Sequence, residues 1–138
     1  ARGLGADYSF NNNECDAAEE IRKITDGLGA DIGFEVVGIT ATVQGAVSSI
    51  RKGGSVTLVG NISPSVELPL QQVVTQQKTL YGSCASSGEY PVCLDLIDSG
   101  KIDVDALISK RVPLLEGAEW FDKLSKKDTD LMKVIVEL

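Results

Sequence analysis

The sequence contains no histidine in its 138 residues. That excludes a Ser-His-Asp triad, imidazole acid–base chemistry and any zinc site with a histidine ligand. Cysteine is scarce too. Cys15, Cys84 and Cys93 cannot all pair with one another, and they show no CxxC spacing. A reduced, cytoplasmic protein is the simplest reading of that set. Positive charge is short, with 13 Lys and Arg against 20 Asp and Glu. The net charge of −7 argues against nucleic acid or an anionic membrane as partner. No apolar run approaches the roughly 18 residues of a membrane span. The opening Ala1-Arg2-Gly3-Leu4-Gly5 has no initiator Met and lacks the apolar core of a signal peptide.

What is present points to a folded α/β domain. The hydrophobic fraction of 43% is too high for disorder, and the length allows one domain with a real core. Asp31 to Gly60 carries the strongest pattern. Two β-branched apolar runs, Ile32–Val37 and Ser55–Val59, each end at glycine. Between them Val43, Ala46, Val47 and Ile50 repeat at i, i+3, i+4 and i+7. This predicts two parallel strands, buried on both faces, with a crossover helix over about 41–51 closed by Lys52-Gly53-Gly54. Parallel sheets bind ligands at the carboxyl ends of their strands, so the unit reads as part of a nucleotide or dinucleotide site.

The flanking segments read as follows. Leu4-Gly5 ends a helix, and Tyr8-Ser9-Phe10 reads as a short strand. Asp16 caps a helix, with Glu19 completing a capping-box variant. Val66–Leu68 reads as a short strand, Leu70–Gln77 as a helix, and Thr79–Gly82 as a strand. A helix follows with Tyr90, Cys93, Leu94 and Ile97 on one face, ended by Gly100. Leu107–Leu114 is extended. Leu115–Leu124 is a helix with Ala118, Phe121 and Leu124 inward. Lys126–Asp130 is a charged turn and Leu131–Val136 a last strand.

Six stretches in this order carry a resemblance: LGAD, DGLGADIGFEVVG, AVSSIRKGGSVTLVG, LYGS, LDLIDSGKIDVDALISKRVPLLEGAEWFDKL and MKVIVEL. Together they resemble the carboxyl-terminal portion of medium-chain, zinc-dependent alcohol dehydrogenases, with sorbitol and other polyol dehydrogenases nearest. The resemblance implies an α/β fold: a partial Rossmann, doubly wound parallel sheet of strand order 3-2-1-4-5-6. Tyr8 would mark its third strand, and the fourth, fifth and sixth would follow. The first two strands are lacking, and with them the G-x-G-x-x-G turn and the acidic residue that reads the ribose. Residues 1–85 would form the second half of the cofactor domain. Residues 86–138 would be a linking helix and a segment returning to a GroES-like catalytic domain.

The implied chemistry is hydride transfer between an alcohol and NAD or NADP, with NAD favoured. The implied zinc has its ligands outside this chain, so the fragment alone is expected to be inactive. A zinc-free quinone or enoyl reductase of the same superfamily, or a non-catalytic self-associating module, are the alternatives.

The implied cofactor residues are Val37 and Gly38 at the adenosine ribose and the middle of the cofactor. Val59 and Gly60 would reach the nicotinamide carboxamide, and Asn61 its ribose. Ser83, Cys84 and Ala85 also lie at the carboxamide, and Lys133 at the pyrophosphate. No catalytic or metal residue is implied. Ordinary turn chemistry at the glycines, a small-filler role for Cys84 and a solvated strand edge at Lys133 are the structural alternatives. Polyol dehydrogenases often carry a bulkier or basic residue near Ala85, and Lys110 stands where relatives often have histidine. Asp31 and Glu35 share a strand face but lie about 13 Å apart, too far for joint acid–base work. Asp31 reads as the first polar residue of a strand, and Glu35 as buried and structural. Strand Thr79–Gly82 would be a dimer edge, and the open edge of Ile32–Val37 would recruit another chain.

Overall fold

The computed structural model describes residues 1–126 and 131–138, so all of the expected charged turn but Lys126 lies outside the described residues. The chain forms two compact units, Ala1–Ala85 and Ser86–Leu138.

The first unit opens with a 3-10 turn, Arg2–Leu4, closed by Gly5. Helix α1 spans Ala17–Ile24. Asp16 caps it as expected: its Oδ1 accepts from the N–H groups of Ala18 at 2.9 Å and Glu19 at 3.1 Å. Strand β1 (Ala30–Glu35), helix α2 (Thr40–Ser49) and strand β2 (Ile50–Leu58) form the βαβ unit. Helix α3 (Leu70–Thr75) and strand β3 (Thr79–Gly82) complete it. The sheet order is β1-β2-β3, all parallel. Val47, Ile50 and Val56 form the buried core, with Ala46, Leu58, Val73 and Leu80 packed around them.

Several expectations are corrected here. Tyr8 and Phe10 form no strand; their rings stack at 6.2 Å. Val66–Leu68 forms none either. Lys52-Gly53-Gly54 does not close α2. The chain enters β2 at Ile50, and the register jumps from Ala30↔Ile50 to Ile32↔Ser55, so the extra residues bulge out of the ladder. The strands are not buried on both faces. Alternation aims Gly33 at Ile50 and Val56, on the α2 side. Ile32 and Phe34 point the other way and are 60% and 70% exposed. Through the ladder they share that face with Thr57 and Tyr81.

The second unit holds helix α4 (Tyr90–Asp98), strand β4 (Ile108–Pro113), helix α5 (Gly117–Ser125) and strand β5 (Lys133–Glu137). Strands β4 and β5 pair in parallel, with Val112 opposite Val136. The expected inward faces are exposed instead: Tyr90, Cys93, Leu94 and Ile97 on α4, and Ala118, Phe121 and Leu124 on α5. A two-stranded sheet offers too little surface to bury two amphipathic helices. Val112 is the buried hydrophobic of this unit among the described residues. Trp120 lies on α5, its indole N–H donating to Glu116 at 3.3 Å, with the Lys123 ammonium 4.1 Å from its ring centre. No helix among the described residues is long and apolar enough to cross a membrane.

Candidate functional site

The carboxyl ends of β1 and β2 meet at one residue, Glu35. Its carboxylate accepts from the N–H of Val37 at 2.9 Å and from the N–H of Gly38 at 2.8 and 3.0 Å. Its backbone carbonyl accepts from the N–H of Val59 at 2.8 Å and of Gly60 at 3.1 Å. Glu35 is 3% exposed, so the buried, structural reading of this side chain holds. Burial works against its charge. The Gly38 N–H, the Thr42 hydroxyl and the Val37 N–H outweigh that, and together they hold the carboxyl below its ordinary value.

The stretches Val37–Gly38 and Val59–Asn61 are thus brought together, backbone against backbone. A Cβ on Gly38 would overlap Gly60 and Asn61, and one on Gly60 would overlap Val37. Gly38 also has φ +84°, which disfavours any side chain. The space a Cβ would take at Gly38 is filled by the neighbouring strand end. Two further bonds close the contact, Ile62 N–H to Val37 O at 3.3 Å and Ser63 N–H to Gly38 O at 2.9 Å.

Strand β3 delivers the third stretch to the same end of the sheet. Its Gly82 stands opposite Leu58, and the Ser83 N–H donates to the Leu58 carbonyl at 2.9 Å. Cys84 follows and is exposed, so it fills no space in a core. Ala85 has φ +54°. Among the described residues, the carbonyls of Val59, Gly60, Asn61 and Ser83 and the N–H groups of Asn61, Cys84 and Ala85 take part in no backbone bond. Free acceptors and donors at one end of a sheet suit a ligand that both donates and accepts, as an amide does.

Lys133 belongs to the second unit, where it begins β5, exposed, opposite Ile108. Asp31 pairs with Arg51 at 2.5 Å on the surface, which separates it chemically from Glu35. An open cleft of about 1060 Å³ runs along α1, α2 and the end of β1. Of the candidate residues, it touches only Val37.

The sequence reading missed Lys78. It is 7% exposed, and its ammonium donates to the Val47 carbonyl at 2.6 Å. Arg22 donates to the next carbonyl, Ser48, at 3.2 Å. Burial, and then the charge of Arg22, push the Lys78 pKa down. One signal was available: α2 has no basic residue in its last turn, so a cation for its negative end must come from elsewhere.

The profile of the family described as zinc-binding dehydrogenase matches residues 1–99. Sorbitol dehydrogenase of Bacillus subtilis (strain 168) is 30% identical over 138 residues, covering 99% of this chain and 39% of that protein. D-arabitol-phosphate dehydrogenase of Enterococcus avium is 30% identical, with 99% of this chain and 39% of that protein covered. The solved structure of alcohol dehydrogenase TADH from Thermus sp. ATN1 superposes with a TM-score of 0.85 at 28% identity. It covers 99% of this chain and 40% of that one. The chain therefore spans about two fifths of the length of the curated relatives it matches. The parallel order β1-β2-β3 is that of the fourth, fifth and sixth strands of a Rossmann-type cofactor domain. Matched over most of its length, the chain belongs to the zinc-binding dehydrogenase family.

Proposed function

We propose that this chain supplies the nicotinamide side of an NAD(P) site in an alcohol or polyol dehydrogenase. In this reading, residues 1–85 are the second half of the cofactor domain, and 86–138 associate with the catalytic domain. One observation carries it: among the described residues, backbone groups without a backbone partner, including the carbonyls of Val59 and Ser83 and the N–H of Ala85, lie where strands β2 and β3 end. That set complements a carboxamide. Val37, Gly38 and Asn61 would line the approach to the riboses. Cys84 would flank the carboxamide, and Lys133 would meet the pyrophosphate as a point charge. The cofactor, once bound, provides the hydride acceptor at its nicotinamide ring. The role of this chain is to hold that ring through backbone groups, which need no reorganisation as the reaction proceeds.

Zinc does not fit the described residues: no group of three His, Cys, Asp or Glu side chains among them could hold a metal ion. Zinc ligands would have to come from the catalytic domain, and hydride transfer is not expected of these residues alone. NAD is our reading over NADP, and the cytoplasm our reading of location. The outer edge of β3 ends the sheet and is proposed as a dimer contact. The exposed Ile32, Phe34 and Tyr81 favour self-association as a second reading. Calorimetric titration with NAD tests the first. Binding by about 1 mM, the upper end of ordinary KM values, supports it. Heat only of dilution at that concentration, with a sedimenting oligomer, supports the second.

A further inference from the structure

We propose that Glu35 is a positioning residue that sets the Val59–Ser63 backbone, and with it the carboxamide acceptor; the second half rests on the function proposed above. The argument is one of connectivity. Through its carboxylate Glu35 holds the Val37–Gly38 turn, and through its carbonyl it holds Val59 and Gly60. The turn in turn accepts from Ile62 and Ser63. Every N–H donor on this path belongs to the backbone, and the Thr42 hydroxyl adds one side-chain donor at the carboxylate. The backbone contact between Gly38 and Gly60 leaves no slack, since each is packed too tightly to admit even a Cβ.

The chemistry at the carboxylate is selective. Val37 and Gly38 both present N–H donors to it, and no ion pair involves Glu35 among the described residues. A carboxylate accepts at both oxygens, and an amide would aim its own N–H₂ at one of those donors. Glutamine keeps the shape but loses the charge and the second acceptor, so the Oε2 bond from Gly38 is lost and the bonds to Oε1 are no longer charge-assisted. Aspartate keeps the charge but falls one methylene short.

The test is backbone amide exchange by NMR on the 138-residue chain, wild type against Glu35→Gln. We expect the amides of Val37, Gly38, Ile62 and Ser63 to exchange about tenfold faster, the effect of losing one charge-assisted bond. Val56, in the same sheet, should keep its protection. Unchanged exchange at Ile62 and Ser63 overturns the proposal, as does a loss spread evenly over the sheet, which would mark a merely structural residue. Should the variant not fold, acid titration of the wild type decides. The amide shifts of Ile62 and Ser63 should move in step with those of Val37 and Gly38; movement of the latter pair alone overturns it. Neither measurement contains NAD. A chain that binds no NAD would refute the proposed function while these readouts still decide the role of Glu35.

Discussion

Gly38→Ala should destabilise the first unit, while Gly45→Ala should stabilise it. Gly38 has φ +84°, and forcing an L side chain into left-handed backbone costs about 1–2 kcal/mol. The added Cβ also overlaps Gly60 and Asn61, so the two strand ends must part. Parting them strains two backbone bonds, Ile62 to Val37 and Ser63 to Gly38, at about 1 kcal/mol each. The combined cost is about 3 kcal/mol, a large share of the roughly 5–15 kcal/mol by which domains are stable. Gly45 sits inside α2 with nothing within 4 Å of an added Cβ. There alanine removes unfolded-chain entropy and should gain about 0.5–1 kcal/mol. Urea unfolding followed by far-UV circular dichroism measures both. Equal effects at the two glycines, or a Gly38→Ala change within about 0.5 kcal/mol of zero, would show that the strand ends are not in the contact described.

Two further predictions concern pH. The Glu35 carboxyl titrates below its ordinary 4.5 in the folded state, so its contribution is complete above that value and is lost as pH falls through the folded one. Wild type should lose stability on acidification in that window, and Glu35→Gln, weaker at pH 7, should show a shallower acid limb; parallel limbs would count against the buried carboxylate. Lys78 has the same sign of dependence, in a higher pH window. Its folded pKa lies below 10.5, so the unfolded chain binds its proton more tightly, and the burial penalty fades as pH rises towards 10.5. The urea midpoint should therefore rise more, or fall less, from pH 8 to pH 10 in wild type than in Lys78→Met; identical pH dependence would place the ammonium in solvent.

How much was legible depended on whether the information was local. The Asp16 cap and strand Thr79–Gly82 are written in a few adjacent residues, and the structure reproduces them. The two apolar runs around Asp31–Gly60 also gave the parallel βαβ unit. Failures came where a pattern needed a partner to become structure. Tyr8–Phe10 has strand-forming residues but no strand beside it. The apolar faces of α4 and α5 obey helical spacing, yet spacing cannot say whether anything covers them. The Lys52–Gly54 glycines read as a helix stop because a bulge and a helix end share the same residues. At the candidate site, sequence pointed to Gly38 and Gly60 but not to the contact between them. Their contact is between residues more than twenty positions apart, which no local window reports. The same is true of Lys78 against Val47.

The position of Trp120 has a practical consequence. It is the chain's single tryptophan, and it stands in the second unit beside Glu116 and Lys123. Its emission therefore reports on residues 86–138. The sheet that carries the candidate site contributes tyrosine only. A tryptophan melting curve could be sharp and complete while saying nothing about whether β1, β2 and β3 are still paired. Coincidence of that curve with the helical signal is then a real measurement of coupling between the units, because nothing in the placement of the fluorophore forces the two to agree.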